Sequence, residues 1–383
     1  MTSKGPKLSL IAGSYEGFCH GWEVEGEGDR ANLSFAYKTH QGVVKSLAVV
    51  SKGPKAGKLL VTGGVDERIR IYDLASKMES GELNQHSGTV TCLEFCDSTH
   101  LLSGSEDSTI CIWRVHDWAL LHVLGGHKSA VHDLSIHPSG RLALSVSKDR
   151  TLRLWNLLEG RSAYIKRLQG EGMLVRWSPE GSRYAVALSR VLQIYDASTC
   201  EVVQEATQPM RINAMEWVQE DALVTCSDDR QLRVVSVTAG ELTELAQSVE
   251  EGEGTTGRLR AMAVVQAANG DEGGHIVTAT SGGRLHVWSM PVVGGEGGDS
   301  VGAEVVATVE APGGPRFTCV GMCRGVVGVE KARKKRKRAQ KAGGLAAQVE
   351  EEPAEEKQGQ QAEGAKKQKK MKQQQKQKQR RNA

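Results

Sequence analysis

Seven short strand-like runs end on an aromatic or apolar residue at Trp22, Tyr72, Trp113, Trp155, Tyr195, Val235 and Trp288. The intervals between them are 50, 41, 42, 40, 40 and 53 residues. This period constrains the chain more than any other feature. A unit of about forty residues holds four short strands and cannot bury both faces of its own sheet, so the units must stack on one another. The two long intervals contain loop-like insertions: Ser51–Lys58 (SKGPKAGK) in one, and Gly/Glu-rich stretches around Glu250–Gly257 and Asn269–Gly274 in the other.

The most regular unit runs from Gly126 to Leu157, GHKSAVHDLSIHPSGRLALSVSKDRTLRLWNL. Val131, Leu134 and Ile136 form a first apolar run, and His137-Pro138-Ser139-Gly140 is turn chemistry. Leu142–Ser147 reads as a half-buried strand, Asp149-Arg150 as a second turn and Leu152–Trp155 as a third strand. These residues resemble the WD-repeat signature, and the resemblance covers most of residues 8–329. It implies that a His, a hydroxyl, an Asp and a Trp in each complete repeat share one hydrogen-bond network. His127, Ser145, Asp149 and Trp155 form one such set, and His86, Ser103, Asp107 and Trp113 a second. His40, Thr62, Asp66 and Tyr72 form a third, with Tyr in place of Trp. A Ser-His-Asp constellation invites comparison with a hydrolase triad, but this one recurs in three repeats where an active site occurs once.

The remaining repeats are degenerate. Six residues before Tyr195 stands Ser189, where the pattern asks for Asp. Thr225 and Asp229 keep the pattern ahead of Val235, while Thr278 and Trp288 keep it with Gly282 at the Asp position. The first run, Leu8–Val24, has no leading strand before it, and Phe317–Cys323 looks like a leading strand with nothing after it. A seven-bladed, all-β WD-repeat propeller is therefore expected over residues 1–329. Its closing blade would combine strands from both ends of that region and so remove the free edge.

The net charge of +3 conceals a division. Residues 330–383 carry 18 Lys+Arg against 7 Asp+Glu, leaving 31 against 39 for residues 1–329. The apolar periodicity stops after Val329, and Lys331–Lys341 (KARKKRKRAQK) begins a segment ending in a Lys/Gln tract at Lys366–Arg381. Such a segment lacks the apolar area to offset its ordering entropy, so a disordered basic tail is expected at 330–383. Lys334, Lys335, Arg336, Lys337 and Arg338 fit a nuclear-import patch. Clustered basic residues without interleaved aromatics favour phosphate-backbone contact over base reading.

Eight cysteines contain no CxxC pair. Cys92/Cys96 and Cys319/Cys323 share a four-residue spacing, which on a strand separates them by roughly 13 Å, too far for one zinc ion. They read as a repeated core strand with reduced thiols in an intracellular compartment. No P-loop, metal-spaced cluster or nucleophile elbow stands out, so no catalytic residue, cofactor or metal is expected. The N-terminus lacks an apolar h-region and no apolar run approaches a membrane span, so neither secretion nor a membrane contact is expected.

Two stretches are more specific than the fold. His86–Phe95 (HSGTVTCLEF) leads into His100–Trp113 (HLLSGSEDSTICIW), and the best unit continues past its Trp as NLLEGRSAYIKRL. With Ile11–Gly17 (IAGSYEG) and the Lys-rich end, these resemble the p21-activated kinase-interacting protein 1-like family of WD-repeat proteins. The resemblance implies residence in the nucleus and nucleolus and a role in assembling the large ribosomal subunit. The implied partners are pre-60S ribosomal proteins and assembly factors, with pre-rRNA held by the basic tail and the propeller monomeric. It also implies an alternative, binding the regulatory region of p21-activated kinase and blocking its activation. A cullin-ligase receptor would show Trp-Asp-x-Arg after a third strand. Trp155-Asn156-Leu157-Leu158, Tyr72-Asp73-Leu74-Ala75 and Trp113-Arg114-Val115-His116 do not match that motif.

Overall fold

The computed structural model describes residues 7–25, 31–237, 243–248, 257–265, 274–290 and 305–324, with 243–248 described in the backbone alone. The chain divides into two units, Met1–Val327 and Gly328–Ala383. All described residues belong to the first, so the basic tail and its import patch Lys334–Arg338 lie outside them.

Within the first unit, 28 strands form seven four-stranded antiparallel sheets. This is a seven-bladed β-propeller. Blades 1 to 6 occupy residues 44–83, 90–124, 131–167, 174–207, 212–248 and 259–310, each an uninterrupted meander from the inner strand outward. Blade 7 is composite. Its inner strand is Phe317–Arg324, followed by Lys7–Ser14, Phe18–Glu25 and Ala31–Lys38. Leu8 pairs with Arg324 and Gly13 with Cys319, so the last strand is hydrogen-bonded to the first.

The seven repeat-end residues fall in the third strand of each sheet, counted from the centre. Each packs at a boundary between blades. Trp113 joins Val61, Ile71 and Leu101 between blades 1 and 2, and Trp155 joins Leu102, Ile112 and Leu134 between blades 2 and 3. Trp22 packs with Val277, Val287 and Phe317 between blades 6 and 7, its ring edge-on to Phe317 at 5.9 Å. Ile11 and Cys19 meet Leu60 and Tyr72 between blades 7 and 1, which completes the ring.

Close blade approach explains two glycines. A Cβ on Gly63 would lie 2.6 Å from Val90 of the next blade, and one on Gly104 would lie 3.0 Å from Val131. The inner strands also carry a repeated irregularity. Their pairing skips Lys45, Thr91, His132, Asn213 and Arg260, each a β-bulge in blades 1, 2, 3, 5 and 6. Thr91 Oγ1 donates to Val131 O at 2.6 Å, and Asn213 Nδ2 donates to Leu259 O at 2.6 Å. His132 Nδ1 lies 3.0 Å from Gly172 O, and the Thr318 hydroxyl donates to Val44 O. Each of these bonds ties one blade to the next around the centre.

The insertion Ser51–Lys58 is a loop between the first two strands of blade 1. Among the described residues all regular structure is strand, and no helix is long and apolar enough to cross a membrane.

A chain ending at Glu310 loses the inner strand of blade 7 and exposes the edge of Lys7–Ser14, together with the Phe317 and Met322 side of its core. Its far-ultraviolet thermal transition should lose cooperativity. An unchanged sigmoidal melt would mean that closure does not depend on this strand.

Candidate functional site

The three histidine sets are the most ordered polar features of the ring. In blade 3, His127 Nδ1 lies 3.0 Å from Asp149 Oδ2, and Nε2 lies 2.7 Å from Ser145 Oγ. Trp155 Nε1 donates to the same hydroxyl at 2.8 Å. Blade 2 repeats the arrangement with His86–Asp107 at 2.9 Å, His86–Ser103 at 2.8 Å and Trp113–Ser103 at 2.9 Å. The Asp is held by more than the imidazole. Asp149 accepts the Thr151 hydroxyl at 2.6 Å and the Lys128 amide at 2.9 Å.

Burial would raise the Asp149 carboxyl, but the Thr151 hydroxyl, the Lys128 amide and His127 outweigh it and hold it at about 2. Burial lowers His127 below the ordinary histidine value, against the opposing pull of Asp149. The neutral ring therefore donates from Nδ1 to the carboxylate and accepts the serine proton at Nε2. Ser103, Ser145 and Thr62 are fully buried, so their hydroxyls are out of reach of a substrate. The geometry of a relay is present, but its nucleophile is sealed inside a sheet. Its chemistry is structural: it satisfies polar groups that burial would otherwise strand.

Blade 1 departs from the full set. His40 Nδ1 lies 2.7 Å from Asp66 Oδ1 and Nε2 lies 2.9 Å from Thr62 Oγ1. Tyr72, however, is not hydrogen-bonded to Thr62; its ring stacks on Tyr37 with centroids 6.0 Å apart. A phenol carries its hydroxyl at the end of the ring, whereas an indole N–H lies on the side facing the neighbouring strand.

The degenerate blades use substitutes. In blade 5, Gln208 stands four residues before Ile212, as His127 stands four before Val131. Gln208 Nε2 donates to Thr225 Oγ1 at 2.7 Å, taking the histidine's place, and Arg233 Nη2 pairs with Asp229 Oδ2 at 2.5 Å. That common offset from the first strand was the available sequence signal for Gln208. In blade 4 the hairpin is shorter: Leu188 pairs directly with Val191, and Ser189 takes φ of 63° in a two-residue turn. No position equivalent to the Asp exists there, so counting back from Tyr195 placed Ser189 wrongly. Trp288 Nε1 still reaches Thr278 Oγ1, at 3.0 Å, in blade 6.

Sequence reading also missed a charged belt on the inner strands. Arg176 Nη1 pairs with Asp133 Oδ2 at 2.5 Å, and its Nε with Glu216 Oε1 at 2.7 Å, linking blades 3, 4 and 5. Glu94 in blade 2 accepts the Ile136 amide at 3.2 Å. Burial pushes the Glu94 carboxyl up to about 8 despite the pull of Arg176. All eight cysteines are free thiols, and burial pushes those of Cys92, Cys226 and Cys319 far above their ordinary value. Among the described residues no His/Cys/Asp/Glu group could hold a metal ion.

Three segments match the family model of the WD domain, G-beta repeat, at residues 32–73, 78–114 and 118–156. Whole-chain relatives extend the similarity further. The p21-activated protein kinase-interacting protein 1-like of Gallus gallus is 38% identical, over 74% of this chain and 73% of its own. The p21-activated protein kinase-interacting protein 1 of Homo sapiens is 35% identical over 59% of this chain and 58% of its own. Protein MAK11 of Saccharomyces cerevisiae is 29% identical over 84% and 85% respectively.

Replacing Asp149 with Ala strands the His127 ring N–H and the Lys128 amide, and should cost about 1–3 kcal/mol in chemical denaturation. Ser189→Ala, at an exposed turn, should cost under about 0.5 kcal/mol. Equal losses at the two sites would contradict the network assignment.

Glu94 makes the stability of the ring depend on pH. Its folded pKa lies above its unfolded one, so the stability it contributes is complete below pH 4.5 and is lost as pH rises towards about 8. Glu94→Gln keeps an acceptor for the Ile136 amide and removes the titration. The variant should melt higher than the natural chain at pH 8 and no higher at pH 4.5. Identical differences at both pH values would place the Glu94 carboxyl in an ordinary environment.

Proposed function

Because the chain belongs to the p21-activated protein kinase-interacting protein 1-like family of WD-repeat proteins, we propose that it is a non-catalytic scaffold in nucleolar assembly of the large ribosomal subunit. One observation carries the reading: an acidic propeller continues into a segment with 18 Lys+Arg against 7 Asp+Glu. A polyelectrolyte of that kind suits pre-ribosomal RNA, where each neutralised phosphate releases counterions. The propeller supplies what an assembly scaffold needs, a rigid ring with seven blade surfaces on which proteins can be arranged. Its buried hydroxyls argue for binding over catalysis. In this reading Lys334–Arg338 directs nuclear import and Lys366–Arg381 supplies most of the remaining contact with pre-rRNA.

The vertebrate relatives are named as p21-activated kinase-interacting proteins, and this favours a second reading: the propeller binds that kinase, at its regulatory region, and holds it inactive. The two readings differ in what co-purifies. A tagged full chain should bring down pre-60S particles and unprocessed rRNA, with binding that weakens steeply as salt rises. Each phosphate contacted on a single strand contributes about −0.7 to the slope of log K against log salt. Removing residues 331–383 should leave the melting temperature nearly unchanged while nucleolar accumulation and rRNA recovery fall. Recovery of the kinase without pre-rRNA would sink the assembly reading, and undiminished nucleolar signal without the tail would move targeting to the propeller.

A further inference from the structure

The bulge positions of the inner strands separate into two kinds. Thr91, His132 and Asn213 spend their side chains on bonds to the next blade, as Thr318 does in blade 7. Lys45 in blade 1 and Arg260 in blade 6 occupy the same irregularity and make no such bond. In blade 1 the neighbouring Ser46 makes it instead, donating to Val90 O at 3.1 Å. Two cations thus stand where the ring needs none. They flank blade 7, whose inner strand is entered through Arg316, while blade 5 is entered through Arg211. Lys45, Arg211, Arg260 and Arg316 are all exposed, and all line a central cavity of about 840 Å³.

The propeller neutralises two of the four in part and, among the described residues, leaves two without an ion pair. These are Lys45 and Arg211. Arg260 stands 3.9 Å from Asp228, whose Oδ1 already accepts Asn213 Nδ2 at 3.0 Å. Arg316 pairs with Glu16 at 3.2 Å and lies 4.2 Å over the Tyr15 ring, an arrangement that leaves it 61% exposed. The lining also includes Glu106 of blade 2 and the paired Asp133 and Arg176 of blades 3 and 4. The four cations form an arc over blades 5, 6, 7 and 1, within which Lys45 and Arg211 carry uncompensated charge.

We propose that the mouth of this cavity receives an acidic peptide, an extended segment of a partner protein whose carboxylates lie against Arg211, Arg260, Arg316 and Lys45. Two observations favour a peptide over a nucleic acid. Residues 1–329 carry 31 Lys+Arg against 39 Asp+Glu, so a long polyanion is repelled by the body while a short segment meets only the local arc. Aromatic stacking surface at the cavity is scant: Arg316 occupies one face of the half-exposed Tyr15 and Phe317 is buried, too little for a run of stacked bases. The proposal concerns the propeller and does not rest on the assembly reading.

The test uses the full chain and a fluorescein-labelled deca-glutamate peptide. Fluorescence anisotropy should give an affinity that falls at least about tenfold in R211E/R260E, a loss expected from reversing two contacting charges. Affinity for a labelled uridine decamer should be unaffected by the same change. Carbodiimide coupling of the peptide to the chain, mapped by mass spectrometry, should modify Lys45. Unchanged peptide affinity, or coupling confined to lysines beyond residue 330, would overturn the proposal by assigning the binding to the tail. Equal loss of peptide and uridine binding would overturn the peptide assignment in favour of nucleic acid. Should R211E/R260E melt early, K45A/R211A repeats the comparison at two side chains without ion pairs.

Discussion

A four-stranded blade has two apolar faces and no interior, and the rest of the structure follows from that deficit. Each of the seven hydrophobic clusters lies between two blades rather than within one. Burying a large aliphatic or aromatic side chain contributes roughly 1.5–3 kcal/mol, so the stability of any blade is held jointly with its neighbours. The same logic requires closure. An open array would leave one apolar face exposed at each end, whereas the composite blade 7 brings Leu8, Leu10 and Ala12 against Val320 and Met322. It then meets blade 1 through Ile11, Cys19, Leu60 and Tyr72. That last cluster has fewer fully buried members than the others and is filled out by Phe35, Tyr37 and Leu47.

Against this packing the polar networks are secondary, and the chain treats them so. Blades 2 and 3 keep the complete set, blade 1 keeps three members, blade 5 substitutes Gln208 and Arg233, and blade 4 has no turn in which an Asp could sit. All five nevertheless fold as the same sheet. A buried hydroxyl needs a partner, but it does not need a particular one. This is why Gln208 serves in blade 5, and why in blade 4 the hydroxyl position is simply apolar, with Val186 opposite Gln193.

The fold was largely legible because its signals are local. Spacing within one repeat put His127, Ser145, Asp149 and Trp155 together, and the unmatched runs at the two ends indicated closure. What escaped was either a change of register or a relation between repeats. Counting from Tyr195 cannot reveal a hairpin shortened by one residue, because the count assumes the turn it is meant to locate. Tyr72 satisfied the spacing rule, yet the placement of its hydroxyl on the ring prevents the bond. The belt of Glu94, Asp133, Arg176 and Glu216 comes from four different repeats and spans 123 residues of sequence, so nothing in any one repeat announces it.

Redundancy in the scaffold is also what leaves room for function. A position that must bond to the next blade is committed, as Thr91 and Asn213 are. A position whose bond has been taken over by a neighbour is released, as Lys45 is by Ser46. Released positions can carry a charge that the fold does not use, and on inner strands such charges converge on the channel mouth. The family relationship fixes the ring; the side chains that distinguish one ring from another are those the ring does not require. In this chain they are cations over blades 5, 6, 7 and 1, set in a propeller whose total charge has the opposite sign. A local field of that kind selects partners by the sign and length of the segment they present, since a short acidic stretch experiences the arc and a long polyanion experiences the body.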